Sequence, residues 1–201
     1  MIIGISGAAR SGKNLFASLL QAKLLKTKNQ KSEIVAIAAA LKEEVREFLL
    51  QNFNLDSFSE STEDKNKFRD LLVWYANLKR SNSDGQYWIE KINNKVEENK
   101  KNGIITLLSD VRFAEKDKDE LYWIKNVWRG KLVYVELNKE EANGNKFIVP
   151  PANEHEERNN KILKRNADYL LSWDFVDSDF QKLDKHINFF IDWLDDAPLI
   201  T

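Results

Sequence analysis

A glycine-bounded loop, Gly7-Ala8-Ala9-Arg10-Ser11-Gly12-Lys13-Asn14, leaves few choices for the fold around it. It fits the spacing G-x-x-x-x-G-K followed by a polar residue, and that spacing builds a phosphate cradle. Glycines permit backbone conformations and close approaches that a Cβ would obstruct. Successive backbone N–H groups then turn inward, and a helix opening near Lys13 adds the positive end of its dipole. Lys13 supplies a compact charge that reaches β- and γ-phosphates. The flanks are those the motif requires: an apolar run from Met1 to Ser6 enters, and Leu15, Phe16, Leu19, Leu20 and Leu24 recur at helical spacing after it. The competing reading is a glycine-rich turn with a solvated lysine. All eight residues, Gly7 to Asn14, form the expected ATP-binding set. Asn14 stands where Ser or Thr normally offers a hydroxyl to Mg²⁺, so any metal contact there goes through an amide oxygen or a bound water.

Apolar runs and helical periodicities alternate through the rest of the chain. Strands are expected at Glu33 to Ile37, Ile104 to Ser109, Lys131 to Leu137 and Tyr169 to Leu171. Helices are expected at about 39–51, 65–79, 84–101, 114–127, 154–165 and 179–194. That alternation predicts an α/β protein of the P-loop NTPase fold, a roughly five-stranded parallel sheet flanked by helices. One domain spans 1–201, with a helical substrate-side insertion at about 52–102 and a lid at about 138–165, where Gly144 and Pro150-Pro151 mark a mobile loop.

Composition narrows the chemistry. There is no cysteine, which excludes disulfides, thiolate metal sites and cysteine nucleophiles. With 31 basic and 32 acidic residues the net charge is -1, so no basic excess points to nucleic acid. No apolar run approaches the roughly 20 residues that span a bilayer. Small-molecule nucleotides, rather than nucleic acid or a membrane, are the expected partners, and the cytoplasm is the expected location. Aromatic residues that look exposed, including Trp123 and Trp128, leave a homodimer surface open.

Asp110 closes the third strand. In an open parallel sheet ligands bind beyond the carboxyl ends of the strands, so a functional acid belongs there, holding Mg²⁺ through water or ordering the acceptor. The alternative is that it caps the following helix. Arg112 carries the planar donor fork that suits phosphate oxygens, against a surface pair with Glu115. Arg10 either contacts phosphate or points to solvent. Trp88 or Tyr75 can stack on a base, though aromatics at this spacing also serve as core, and Asp84 can cap the helix that carries Trp88. Arg158, Lys161, Lys164 and Arg165 form a basic set that either closes over phosphate or pairs with Glu154, Glu156 and Glu157 on one helix.

The loop Arg10-Ser11-Gly12-Lys13 resembles that of bacteriophage deoxynucleoside monophosphate kinases, members of the nucleoside-monophosphate-kinase group of P-loop proteins. Ala40-Leu41-Lys42 is similar to their apolar-Lys segment. Arg69-Asp70-Leu71-Leu72, Arg80, Asp84 and Tyr87-Trp88-Ile89 resemble their substrate-side helices, and Ser109-Asp110-Val111-Arg112-Phe113 with Glu115 resembles their D-x-R element. The resemblance implies transfer of the γ-phosphoryl group of ATP, with Mg²⁺, to a deoxynucleotide. Lys13, Asp110 and Arg112 would be catalytic; Lys42, Arg80, Trp88, Asp110 and Arg112 would bind substrate; Asn14 and Asp110 would be the metal ligands, directly or through water. A P-loop kinase for another phosphorylated metabolite, such as dephospho-coenzyme A or a phosphomevalonate-like acceptor, stays open, as does a nucleotide-binding protein without catalysis.

Overall fold

A computed structural model describes residues 1–140, 146–174 and 180–196, apart from the side chains of residues 180 and 181. The elements in order are β1 (Ile2–Ser6), α1 (Lys13–Lys28), β2 (Ser32–Val35), α2 (Ile37–Phe53), α3 (Thr62–Asn82), α4 (Tyr87–Lys101), β3 (Ile105–Val111), α5 (Glu120–Tyr122) running into a π-helical turn (Trp123–Val127), β4 (Lys131–Glu140), β5 (Lys146–Ile148), α6 (Glu154–Arg165), β6 (Tyr169–Asp174) and α7 (Phe180–Asp196). Five strands run parallel in the order β2, β3, β1, β4, β6; β5 adds an antiparallel hairpin to the far end of β4. The loop-bearing strand β1 therefore lies at the centre of the sheet, between β3 and β4.

Strand alternation sorts the core into two layers. Ile3 and Ile5 of β1 face one side, where Phe16 and Leu20 of α1 and Ile187 and Phe190 of α7 cover them. Ile2 faces the other, against Trp88, Ile89, Ile92 and Val96 of α4, Ile124 of the π-turn and Leu163 of α6. Gly4 has no side chain because one would meet Ile124 at 2.7 Å.

Several expectations are revised. The polar stretch expected as a loop from Asn138 instead extends β4 to Glu140 and returns as β5; residues 141–145, with Gly144, lie outside the described residues. The helix expected from Ala114 begins only at Glu120, because the Glu120 carboxylate turns back to accept the N–H groups of Arg112 (2.7 Å) and Phe113 (3.1 Å) and so orders an irregular loop before it. Within the expected insertion, α4 packs on the sheet, while α3 packs on α2 and α4. Trp123 is buried and stacks edge-on with the half-buried Trp128, which removes both from the expected exposed surface. No described helix is long and apolar enough to cross a membrane.

Candidate active site

The phosphate loop is held open from behind. Gly7 (φ 143°) and Gly12 (φ 90°) adopt backbone conformations that L side chains rarely take. A Cβ on Gly7 would stand 2.2 Å from the carbonyl oxygen of Val135, and one on Gly12 would stand 2.6 Å from the Trp173 ring. Trp173, on β6, also donates its indole N–H to the carbonyl of Ser11 (3.0 Å). The loop is thus clamped between β4 and β6, with Arg10 in the left-handed region and exposed. The buried hydroxyl of Ser11 has no hydrogen-bond partner among the described residues.

Lys13 begins α1 and folds its ammonium onto the carbonyls of Gly7 (2.8 Å) and Ala8 (2.7 Å). Burial, then repulsion from Arg112, lowers its pKa to about 8, against attraction from Glu156 and Asp110. An anion arriving at the loop would find a lysine already in place and poorly solvated.

The end of β3 forms a second wall. Asp110 accepts from the N–H groups of Ile37 (2.7 Å) and Ala38 (2.8 Å), one carboxylate oxygen each. It caps a helix, as its alternative reading allowed, but that helix is α2 across the cleft rather than the one after it in sequence. Burial pushes the Asp110 carboxyl upward, while these two amides, Arg112 and Lys13 oppose the shift. Arg112 is exposed, and its guanidinium makes no hydrogen bond or ion pair among the described residues; Glu115 pairs instead with Arg158 (3.1 Å) and His155 (3.4 Å).

One cleft of about 640 Å³ collects these groups, a volume that suits a nucleotide-sized ligand. Arg10, Lys13, Asn14, Lys42, Asp110 and Arg112 all line it, and so does Phe58, which the sequence placed in a polar connection. The placement of Phe58 has local causes. Ser57 donates its hydroxyl to the carbonyl of Lys42 (2.9 Å), and Asp56 accepts from Arg46 and from the N–H of Phe58 (both 2.9 Å). These bonds lay the loop along α2, so that Lys42 and Arg46 sit over the Phe58 ring at 5.5 and 5.6 Å.

Arg80 and Trp88 lie outside this cleft, which corrects the substrate roles expected of them. Arg80 is 7% exposed, bonds both oxygens of Asp119 at 3.2–3.3 Å and stacks 3.4 Å from the centre of the Phe113 ring. Trp88 is core, edge-on to Tyr75 and Tyr87, with its indole N–H given to the carbonyl of Ala76. Asp84 is not the cap of α4; Gln86 holds that position. Three of the four basic residues on α6 are engaged with acids: Arg158 with Glu115, Lys161 with Glu157, and Lys164 with Glu136.

Sequence reasoning missed three contributors: Phe58, Trp173 and Glu156. The Glu156 carboxylate accepts the N–H of Ala9 in the phosphate loop at 2.8 Å. Only Glu156 left a local trace, the capping pattern Asn153-x-x-Glu156.

A phosphate loop on the central strand of this parallel sheet, facing Asp110 and Arg112 at the neighbouring strand end, defines a P-loop kinase, a nucleotide-using phosphotransferase. Residues 5–129, more than half of the chain, match the phosphomevalonate kinase family, and the chain belongs to that family. No curated protein sequence matches it. Among solved structures it is similar to the dephospho-CoA kinase of Campylobacter jejuni, at 10% identity over 96% of each chain with a TM-score of 0.46. It is also similar to the shikimate kinase of Bacteroides thetaiotaomicron, at 12% identity over 97% of this chain and 98% of that one with a TM-score of 0.42. A Thermus thermophilus protein matches at 14% identity over 96% of this chain and 97% of that one, with a TM-score of 0.48.

Proposed function

We infer that the protein transfers the γ-phosphoryl group of ATP to the phosphate of a deoxynucleoside monophosphate in the cytoplasm, giving the diphosphate and ADP. The observation that carries the choice of acceptor is Phe58, a half-open aromatic ring that lines the cleft of the phosphate loop together with Lys42 and Arg112. A ring on that wall gives a nucleobase a stacking face, while Lys42 and Arg112 offer charge to the acceptor phosphate.

The reaction asks for position and charge stabilisation more than for covalent chemistry. An acceptor phosphate oxygen attacks the γ-phosphorus, the bond to the β–γ bridging oxygen breaks, and ADP leaves with that electron pair. The acceptor oxygen is already ionised, so no general base is required. Lys13 and the loop amides would hold the donor, and Arg112 would stabilise charge on the transferring group.

The donor fits the residues present: two glycines where a Cβ would clash, and a desolvated lysine at the start of α1. Mg²⁺, when bound with the donor, would neutralise charge on its phosphates. Asn14 is exposed in the cleft and Asp110 keeps free lone pairs, so both suit ligation through water. Among the described residues no cluster of three His, Cys, Asp or Glu groups stands ready for an ion, which leaves phosphate and water to supply most of its shell.

The family match favours a second acceptor, a phosphomevalonate-like phosphorylated metabolite without a ring. A coupled ADP-release assay over the four dNMPs, phosphomevalonate and dephospho-coenzyme A separates the two. The first reading expects turnover of at least one dNMP. It further expects Phe58→Ala to raise the KM for that dNMP about tenfold, the worth of one stacked base. Turnover of phosphomevalonate alone, unaffected by Phe58→Ala, would establish the second. ATP binding without turnover of any acceptor would establish a non-catalytic nucleotide binder.

A further inference from the structure

The helix α6 begins with a capping pattern that its third residue does not complete in the usual way. Asn153 accepts the N–H of Glu156 (2.9 Å), as an N-cap residue should. In a capping box the Glu would then return to the N–H of the cap residue itself. Glu156 reaches past it: one carboxylate oxygen accepts from Ala152 (2.6 Å) and the other from Ala9 (2.8 Å), 147 residues away in the phosphate loop. Ala9 has no other acceptor among the described residues. Glu156 is half-buried beside Lys13, which it attracts, and beside Tyr134. A carboxylate bonded to a loop amide within the field of the loop lysine presents what a phosphoryl oxygen would present at the same donors.

We propose that Glu156 is an internal competitor of the donor nucleotide: its carboxylate holds the Ala9 amide until a phosphoryl oxygen replaces it, and that exchange frees the start of α6 from the loop. The proposal rests on the reading of the loop as the ATP site. Glu156 makes the loop selective for ligands that bring several negative charges, because a weak or neutral ligand cannot dislodge a carboxylate already bonded there. α6 is also anchored to the loop that follows Arg112. Asn159 accepts the N–H of Ala114 (2.8 Å), Arg158 and His155 hold Glu115, and His155 packs edge-on against Phe113. Donor arrival at Ala9 is thereby felt through one short helix by the segment that aims Arg112 into the cleft.

The test compares wild type with Glu156→Gln, which keeps an oxygen for the Ala152 amide and removes the charge. Calorimetric titration with MgATP, with inorganic tripolyphosphate and with adenosine, in the absence of acceptor, reads the competition directly. A neutral amide bonds the loop more weakly than a carboxylate and does not repel phosphate. Glu156→Gln should therefore bind ATP and tripolyphosphate about five- to tenfold tighter, with adenosine affinity unchanged. Hydrogen exchange at Ala9 should be slow in the nucleotide-free wild type and faster in the variant. Should Glu156→Gln melt early, Glu156→Ala, which removes both the charge and the bond to Ala9, should give the same tightening. Unchanged or weaker ATP binding in a variant with wild-type melting temperature overturns the proposal while leaving the loop as the ATP site. Failure of the wild type itself to bind ATP removes both.

Discussion

Binding of ATP at pH 8.5 should draw a proton out of solution, and Lys13 sets how much. In the free protein its pKa falls from 10.5 to about 8, because burial strips water from the ammonium and Arg112 repels it, with Glu156 and Asp110 giving back part of the loss. At pH 8.5 a group of pKa about 8 is roughly one-quarter protonated. With β- and γ-phosphates beside it, the ammonium regains an ionic partner and its pKa returns to or above the ordinary lysine value, so it is almost fully protonated. The difference is an uptake of about 0.7 to 0.8 proton per ATP bound. The phosphates of ATP are fully ionised at that pH and release nothing. Titration calorimetry in two buffers of different ionisation heat measures the number directly. Lys13→Arg supplies the control, since a guanidinium stays charged throughout and should show almost no uptake. An uptake below about 0.2 in the wild type, or the same uptake in Lys13→Arg, would refute the desolvated lysine. The sign carries over to stability. The unfolded chain keeps this proton up to about pH 10.5 and the native protein only to about 8, so the unfolded state binds more protons in between. Lys13 therefore costs stability at neutral pH, and that cost fades as pH rises through the window. Lys13→Met should lose nucleotide binding yet melt a few degrees higher at pH 7.

Two further substitutions test how the loop and the strand end are held. Gly12→Ala combines a strained backbone with a Cβ 2.6 Å from Trp173, and should cost about 2–4 kcal/mol in denaturant unfolding and abolish ATP binding. Gly103→Ala, at φ 66° with nothing within 4 Å, should cost only about 1 kcal/mol, and equal costs at the two sites would show that the Trp173 contact is not what matters. Glu120 is raised from 4.5 to about 8 by burial, with help from Asp119 and Asp110 and against the Arg112 amide and Arg80. The native state then binds its proton more tightly than the unfolded state, so the stability from this group is present below about pH 4.5 and lost as pH climbs through about 8. Glu120→Gln keeps an acceptor oxygen for the two amides and should flatten the fall of melting temperature across that window; an unaltered slope would assign the effect to another group.

What the sequence disclosed follows from how local each signal is. The phosphate loop was legible because everything it needs, a strand, two glycines, a lysine and a helix start, lies within the first 28 residues. The D-x-R element was legible because strand ends in parallel sheets are where ligands bind. Arg80 misled for the opposite reason: exposed and buried arginines look alike in sequence, and its partners Asp119 and Glu120 are about 40 residues away. Trp88 showed the apolar spacing of a core residue, and the core claimed it. Phe58 was hidden in a polar run, since what turns it into the cleft is a pair of bonds from Ser57 and Asp56 back to α2. Glu156 could be read only as a helix-surface acid, because its partner amide is 147 residues away.

Asp110 shows how a capping role leaves room for a ligand role. Its two oxygens seat the first amides of α2, the helix that carries Lys42, against the end of β3, the strand that leads to Arg112. This carboxylate therefore ties together the two elements that bring Lys42 and Arg112 to the cleft. Each oxygen spends one lone pair on an amide and has another left, which a hydrated ion or an acceptor hydroxyl could use. Capping and ligation do not compete for the same electrons. The cap also favours the ligand role. Burial pushes the carboxyl upward, and the amide donors, with Arg112 and Lys13, oppose that rise in favour of the ionised form a cation needs. An aspartate that ends its strand as the cap of a helix across the cleft is thereby fixed where a ligand role would need it.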